Sequence, residues 1–296
     1  MPLRIGVLMG GVSEEKEISL ATGNAIIKAC KFNGHIIKPI IFNGDYSQLL
    51  SLVDNVDIVF NALHGGIGEN GEIQSWLKKN NIRYTGSEEF ASKLCMNKAE
   101  SKKTAKIIGL KTPKWEVLID PSDRPKIDIP FVVKPNNQGS TVGLTIVEDE
   151  GSLDAAIDLA FKYSAEVLIE EFIAGRELTV SIVGEEIYPI VEIFPSNDFY
   201  DYECKYTPGK SRYTCPAEIE EQLEFHIKKD TELIFKELGC IGYGRADYLV
   251  DNDGDYYFLE MNTLPGMTVT SLLPKSANAF GLSFNELVER IIGIAF

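Results

Sequence analysis

The chain has 296 residues, of which 44% are hydrophobic and 25% charged, which is typical of a globular protein with two or three domains. Its net charge of −15 argues against nucleic acid or an anionic membrane as the main partner, and no apolar run approaches the length of a membrane helix. The five cysteines show no CxxC spacing, so neither a zinc site nor a disulfide framework is indicated, and a cytoplasmic location is expected.

Residues 1–97 alternate between strand-like and helix-like segments. Such alternation predicts a parallel sheet with helices on both faces, and hence an α/β domain over this range. Ser13 is predicted to cap the first helix, and the lone His64 is interpreted as structural. The predicted strands are 4–9, 35–42, 57–63 and a short closing strand at 82–85, and the predicted helices are 14–30, 46–53 and 71–80.

Two further domains of α+β type are predicted over residues 98–180 and 181–296, where the pattern becomes richer in strands. Residues 199–213 are polar and aromatic without clear periodicity, which is typical of a long loop or lid. The predicted helices in these two domains are 98–108, 152–162, 218–238 and 283–294, and the early predicted strands are 115–119, 131–135, 144–147 and 166–171.

The stretch GYGRADYLVDNDGDYYFLEMN at 242–262 predicts a β-hairpin. The Asp-Gly pair at 253–254 is a two-residue turn signal between alternating runs. That turn sets Asp247 opposite Glu260. It also sets Arg245 opposite Asn262 on the same face. The other face is predicted to pack through apolar side chains, namely Ala246, Tyr248, Val250, Tyr257, Leu259 and Met261.

Two carboxylates and one amide oxygen share the polar face of this hairpin. Asp247, Glu260 and Asn262 suit a hard cation such as Mg²⁺, which takes a few protein oxygens together with phosphate and water. The neighbouring Arg245 indicates an anionic ligand such as phosphate. The alternative is a hairpin whose acidic residues are simply solvated. A calcium loop in DNDGD is disfavoured, because its glycine is fourth rather than sixth and no helical run precedes it.

Two further motifs suit a nucleotide. In PFVVKPNNQGSTVG the strand presents Lys134 inward, and the loop at 138–143 offers small residues and free amides that suit phosphates. In LIEEFIAGRELTV, Glu170 ends one strand and Glu177 starts the next, where carboxylates and exposed backbone suit adenine and ribose. Each motif also has a plainer interpretation. The first could be a polar hairpin loop with an incidental lysine, and the second could be surface glutamates at strand ends.

The ordered set of motifs resembles the D-alanine–D-alanine ligases of the ATP-grasp superfamily, over essentially the whole chain. The resemblance implies a three-domain ATP-grasp architecture with a Rossmann-like N-terminal domain. It also implies that ATP phosphorylates one D-alanine, that a second D-alanine attacks the acyl phosphate, and that the dipeptide enters peptidoglycan synthesis. ATP, two Mg²⁺ or Mn²⁺ ions and a homodimer are implied with it. The motifs are GGVSEEKEISL, HGGIGENG, YTGS, MNK, VVKPNNQGSTVG, EEFIAGRELTV, FYDYECKY, GRAD, LEMNTLPGMT and SLLP.

The resemblance also implies roles for individual residues. The implied magnesium ligands are Asp247, Glu260 and Asn262. The implied ATP contacts are Lys98 and Lys134 on the phosphates, Glu170 and the backbone near Phe172 and Ile173 on adenine, and Glu177 on ribose. For the first D-alanine, the resemblance implies that Glu15 binds the ammonium group and forms a hydrogen-bonded trio with Ser140 and Tyr206. Lys205 is implied to lie near the phosphoryl group. For the second step, the implied contacts are Arg245 and the amide of Gly266 on the oxyanion, and Ser271 on the second carboxylate.

The chain departs from the family pattern at a few positions, none of which removes an implied ligand. Asn70 and Asn97 stand where aspartates are expected, and Thr141 replaces a second serine. Two alternatives stay open: a ligase that makes an ester with D-lactate, and an ATP-binding regulator that has lost turnover. Tyr206 at the lid position favours the dipeptide over the ester. The intact set of Arg245 and metal-ligand residues argues against a regulator.

Overall fold

The computed structural model describes residues 2–196, 209–268 and 270–295. The predicted site residues Lys205 and Tyr206, and most of the predicted lid at 199–213, lie outside this part of the chain. Among the described residues, no helix is long and apolar enough to cross a membrane.

The N-terminal region forms a parallel sheet, as predicted. Its elements are β1 (Arg4–Gly10), α1 (Lys16–Phe32), β2 (Ile36–Phe42), α2 (Tyr46–Leu52), β3 (Ile58–Asn61) and α3 (Glu72–Lys79). The strand order is β2-β1-β3. Alternate side chains of β1 lie in different apolar clusters, with Val7 on the α1 side and Leu8 on the side of α2 and α3. The closing strand predicted at 82–85 contributes only one parallel bridge, between Tyr84 and Val59.

The second sheet is antiparallel. The elements of this region are α4 (Glu89–Met96), α5 (Lys98–Ile107), β4 (Trp115–Leu118), β5 (Phe131–Pro135), β6 (Thr145–Val147), α6 (Leu153–Phe161) and β7 (Val167–Glu171). The strand order is β4-β7-β5-β6, and helix α4 was not predicted. Val133 and Ile169 pack with α6 on one face, so their neighbours Lys134 and Glu170 project from the opposite face.

The third sheet is antiparallel. The elements of this region are β8 (Gly175–Val183), β9 (Glu186–Ile187), β10 (Val191–Pro195), β11 (Ser211–Thr214), α7 (Glu221–Glu237), β12 (Tyr243–Asp251), β13 (Tyr256–Asn262), α8 (Leu272–Phe280) and α9 (Phe284–Ile294). The strand order is β11-β10-β8-β12-β13, with β9 paired to β8. Helix α8 was not predicted, whereas α7 and α9 fall within their predicted ranges.

The parallel N-terminal sheet and the two antiparallel sheets confirm the predicted mixed fold class. The boundaries at residues 97 and 180 stay predictions. Strand β8 runs across the second of them, and Val288 and Ile291 of the C-terminal helix pack in the same apolar cluster as Ile5 of the first strand.

The hairpin between β12 and β13 has the predicted pairing at its polar end, but not the predicted turn. Asp251 pairs with Asp255, so the loop has three residues, with Gly254 at φ 85°. The pairing then shifts by one residue between Asp247 and Tyr248. This bulge compensates for the longer loop, so the predicted partners Asp247 and Glu260 do lie opposite each other.

The same bulge corrects the predicted apolar face. Phe258 and Tyr256, rather than Leu259 and Tyr257, pack in the cluster that contains Tyr248. The physical reason is that the extra residue at position 259 reverses the in-out alternation of every residue between it and the turn.

The predicted capping role of Ser13 is wrong. Helix α1 begins at Lys16, its cap position is Glu15, and no side chain caps it. The Ser13 hydroxyl instead donates a 2.6 Å hydrogen bond to the carbonyl of His64. Ser13 therefore ties the turn after β1 to the loop after β3.

Candidate active site

A cleft of about 560 Å³ lies between the two antiparallel sheets. Val132 and Ile146 line it from one sheet, and Leu249 and Leu259 line it from the other. Leu259 faces the cleft because of the bulge in β13. The cleft therefore has apolar walls, which suit a flat ring system.

The predicted glycine loop covers one end of this cleft. Gly139 and Ser140 line both the cleft and a second cavity beside it. Ser140 and Thr141 have positive φ angles of 51° and 63°, a conformation that costs free energy for residues other than glycine. Backbone concavities that bind anions also contain left-handed residues, so this loop suits a phosphate.

A buried cluster of two lysines and one glutamate lies beside the cleft, and two of its members, Lys134 and Glu170, line it. Lys134 donates a 2.7 Å hydrogen bond to Glu170, and Lys102 makes a 2.5 Å ion pair with the same carboxylate. Lys102 also donates to the hydroxyl of Thr112 at 2.7 Å. Burial opposes ionisation of Glu170, but the charges of Lys102 and Lys134 outweigh it and lower the pKa of the carboxyl. Burial lowers the pKa of Lys102 to about 8, against the attraction of Glu170.

Lys102 was missed from the sequence, although a signal for it exists. It lies four residues after Lys98 on the same helix, so both side chains lie on one face of α5. The resemblance assigns the Glu170 carboxylate to adenine, and in the structure the same carboxylate pairs with Lys102 and Lys134.

Lys98 is the first residue of α5, where the helix dipole disfavours a positive charge. Two acceptors hold it there. Its ammonium donates to the carbonyl of Gln138 at 2.6 Å and lies 3.0 Å from the carboxylate of Glu260. Asn97 caps the helix by accepting from the amide of Glu100 at 3.0 Å, so an asparagine serves as well as an aspartate at this position.

Asp247 accepts four hydrogen bonds from the described residues. Arg245 donates two of them in a fork, at 2.9 and 2.8 Å. Thr179 donates at 2.5 Å and Asn262 at 2.9 Å. The carboxylate, at 7% exposure, is held in one orientation by three neighbouring side chains.

The predicted metal ligands Asp247, Glu260 and Asn262 lie together where β12 pairs with β13. In the described part of the chain, no three His, Cys, Asp or Glu side chains form a metal-binding group, and the third predicted donor is the Asn262 amide. Two carboxylates and an amide fit Mg²⁺ when phosphate and water complete its shell. Because a carboxylate has about four lone-pair sites, a metal ion on Asp247 has to displace one of its present donors.

A second cavity of about 80 Å³ adjoins the cleft. Ser140 donates a short hydrogen bond to Glu15, which is only 6% exposed. His64 lies 3.4 Å from Glu69 and 3.0 Å from the hydroxyl of Thr22. His64 was interpreted as structural and Glu69 was not singled out, yet both line this cavity beside Glu15.

The far wall of the small cavity is the segment that leads into α8. The Ser271 hydroxyl accepts from the amide of Thr268 at 3.0 Å, just before the helix begins. A Cβ atom on Gly266 would lie 2.8 Å from the same hydroxyl, so this approach leaves little room for a side chain at position 266. The start of a helix next to a cavity suits a carboxylate.

The structure thus gathers the described members of the predicted site around two adjoining cavities. Glu260 and Ser140 line both. The other predicted residues of the cleft are Lys98, Lys134, Glu170, Phe172, Ile173, Glu177 and Asp247. Those of the small cavity are Glu15, Arg245, Asn262, Gly266 and Ser271.

Comparison with known proteins gives a consistent result. Residues 45–87 match the family model described as D-ala D-ala ligase N-terminus, and residues 108–293 match D-ala D-ala ligase C-terminus. The D-alanine–D-alanine ligase of Syntrophotalea carbinolica is 44% identical over 98% of this chain and 95% of its own. The Bacillus anthracis ligase complexed with ATP has a TM-score of 0.88 at 37% identity, covering 100% of this chain and 97% of its own. The VanG D-Ala:D-Ser ligase of Enterococcus faecalis has a TM-score of 0.85 at 29% identity, covering 100% of both chains.

Proposed function

The chain belongs to the D-alanine–D-alanine ligase family, and we propose that it joins two D-alanine molecules at the expense of ATP. ADP, phosphate and D-alanyl-D-alanine are the products, and the dipeptide serves peptidoglycan synthesis. A cytoplasmic location, expected from the cysteine pattern, and a homodimer, implied by the resemblance, are part of the same proposal.

ATP binds in the cleft between the two antiparallel sheets. The apolar walls near Phe172 and Ile173 take the adenine, and Glu177 reaches the ribose hydroxyls. Lys98 and Lys134 stand at the polar end, where the glycine loop covers the phosphates. The Bacillus anthracis relative is complexed with ATP, which supports ATP as the nucleotide.

The first step transfers the γ-phosphoryl group to the carboxylate of the first D-alanine. Phosphoryl transfer depends on positioning and on neutralisation of charge, so the lysines and the metal-ligand residues carry most of the catalysis. Asp247, Glu260 and Asn262 would hold Mg²⁺, which neutralises phosphate charge when bound. Lys98 contacts both Glu260 and the glycine loop, so it links these two parts of the site.

The first D-alanine binds in the small cavity with its ammonium group on Glu15. A buried carboxylate that already accepts from Ser140 is a fixed negative charge, and it orients the amino acid with its carboxylate toward the cleft. Glu69 and His64 stand on the same side and add to the polar wall.

In the second step, the amine of the second D-alanine attacks the acyl phosphate. Arg245 and the backbone amide of Gly266 stabilise the oxyanion of the tetrahedral intermediate, from which phosphate leaves. Ser271 and the start of α8 receive the carboxylate of the incoming amino acid. Water must be excluded while the acyl phosphate exists, a task that we assign to the segment containing Lys205 and Tyr206.

The observation that carries this proposal is the shared wall of the two cavities. Ser140 and Glu260 line both, so a phosphoryl donor in the cleft and an acceptor in the small cavity would meet at these residues. The test is phosphate release from ATP and Mg²⁺ with and without D-alanine, with the product identified by mass spectrometry. We expect release that depends on D-alanine together with the dipeptide. Binding of ATP without release stimulated by D-alanine would identify a regulator instead.

The second acceptor needs its own test, because one similar structure is a D-Ala:D-Ser ligase. D-alanine, D-serine and D-lactate would be supplied in competition, and the products would be quantified. We expect D-alanyl-D-alanine to dominate. A dominant ester with D-lactate would support the alternative that the sequence left open.

A further inference from the structure

Lys102 is a buried positive charge for which the proposed reaction has no direct use. Its side chain is fully buried. It is absent from the described residues that line the cleft, whereas its partner Glu170 and the neighbouring Lys134 both line it. Lys102 therefore makes no direct contact with a ligand in the cleft, and its charge acts on such a ligand across these two side chains.

The cost of burying this lysine is large, so its retention calls for an explanation. A charged group inside a protein loses several kcal/mol of hydration, and an apolar residue of similar size is often neutral or better for stability. Glu170 already has one partner in Lys134, at 2.7 Å. Without Lys102, these two would form a neutral pair. With Lys102, two cations share one carboxylate and one positive charge remains in excess.

We propose that Lys102 is a positioning residue that shares the negative charge of Glu170, and so keeps Lys134 electrostatically available to the phosphates of a nucleotide. The geometry supports this assignment. Glu170 uses different oxygens for the two lysines, Oε1 for Lys134 and Oε2 for Lys102. Thr112 anchors Lys102 from the other side, which fixes the direction in which it draws the carboxylate.

The proposal rests on nucleotide binding in the cleft, and the test separates the two. ADP with Mg²⁺ is titrated calorimetrically into the wild type, Lys102→Met and Lys102→Arg. In Lys102→Met the cluster becomes neutral, and we expect ADP to bind about tenfold more weakly, because one unit charge near the phosphates is lost. Lys102→Arg keeps that charge, and we expect affinity within about threefold of the wild type.

Each outcome has a defined meaning. Wild-type affinity in Lys102→Met would overturn the proposal, and so would a Lys102→Arg variant as weak as Lys102→Met, since Lys102 would then act through shape and not through charge. Melting temperatures of all variants check folding. If Lys102→Arg fails to fold, AMP is compared with ADP: we expect Lys102→Met to weaken ADP binding more than AMP binding, and equal weakening would overturn the proposal. A wild type that does not bind ADP would contradict the proposed function itself.

Discussion

Ser140 and Glu15 are joined by a hydrogen bond although 125 residues separate them in the sequence. Ser140 belongs to the glycine loop of the second sheet, and Glu15 is the cap position of the first helix. The contact therefore connects the wall of the small cavity to the loop that covers the cleft. It links the proposed amino-acid site to the proposed nucleotide site.

Glu15→Gln should weaken binding of the first D-alanine while leaving ADP binding nearly unchanged. The variant removes the negative charge proposed to hold the ammonium group, and a hydrogen bond to a charged group is worth about 1.5–3 kcal/mol. We expect the KM for the first D-alanine to rise about 10- to 100-fold, as measured by D-alanine-dependent phosphate release.

Glu17→Gln is the matched control, because Glu17 lies in the first turn of the same helix and is exposed. It should leave the KM unchanged. If Glu15→Gln behaves like this control, the ammonium group of the first D-alanine binds elsewhere.

Glu260→Gln should abolish metal-dependent turnover while the protein still folds. The variant keeps the shape of the side chain but removes one of two carboxylates at the proposed metal site, and with it the ion pair to Lys98. We expect a rate lower by about 10²-fold or more with Mg²⁺. The surface variant Glu237→Gln, at the end of α7, serves as the control. Near-normal turnover in Glu260→Gln would mean that the metal site is elsewhere.

Much of the fold followed from the sequence, because periodicity and turn signals are local properties. The hairpin shows the limit of that reasoning. The turn was assigned one residue too short and the bulge at Leu259 was not foreseen, and the two errors offset each other at Asp247 and Glu260. Between the bulge and the turn they do not offset, so Tyr257 and Leu259 were assigned to the wrong face.

The sequence predicted only those residues of the candidate site that belong to a recognisable motif. The β12–β13 hairpin and the glycine loop contain glycines and carboxylates that stand out in the sequence. Lys102 shares one face of α5 with Lys98, but this signal is weak, since a lysine on a helix is usually solvated. Its burial results from contact with Glu170 and Thr112 on separate parts of the chain, which a local pattern does not encode.

Arg245→Ala should lower the catalytic rate far more than it weakens nucleotide binding. Loss of one preorganised donor to an oxyanion typically costs about 10²–10³ in rate. Arg245→Lys keeps the charge but loses the bidentate pair of hydrogen bonds that Arg245 donates to Asp247, so we expect an intermediate rate. Turnover and ADP affinity are measured on the same preparations. Equal losses in turnover and in ADP affinity would mean that Arg245 stabilises the bound ground state and not the transition state.

Lys102 should also give the protein a characteristic pH dependence of stability. Burial lowers the pKa of its ammonium from 10.5 to about 8 in the folded protein. Below pH 8 both the folded and unfolded states carry the proton, and the full cost of burying the charge is present. Between about pH 8 and 10.5 the unfolded state binds more protons than the folded state, so the free energy of unfolding gains a contribution that increases with pH.

Lys102→Met lacks this titration, so the informative quantity is the difference in unfolding free energy between the wild type and the variant. We expect that difference to shift in favour of the wild type from pH 7 to pH 10, by at most about 3 kcal/mol, because one pKa unit corresponds to about 1.4 kcal/mol. Urea unfolding at each pH measures it, and taking the difference removes the tyrosines and other lysines that both proteins share. A difference that stays constant over this range would mean that Lys102 keeps its proton in the folded protein, and that its ion pair with Glu170 outweighs the effect of burial.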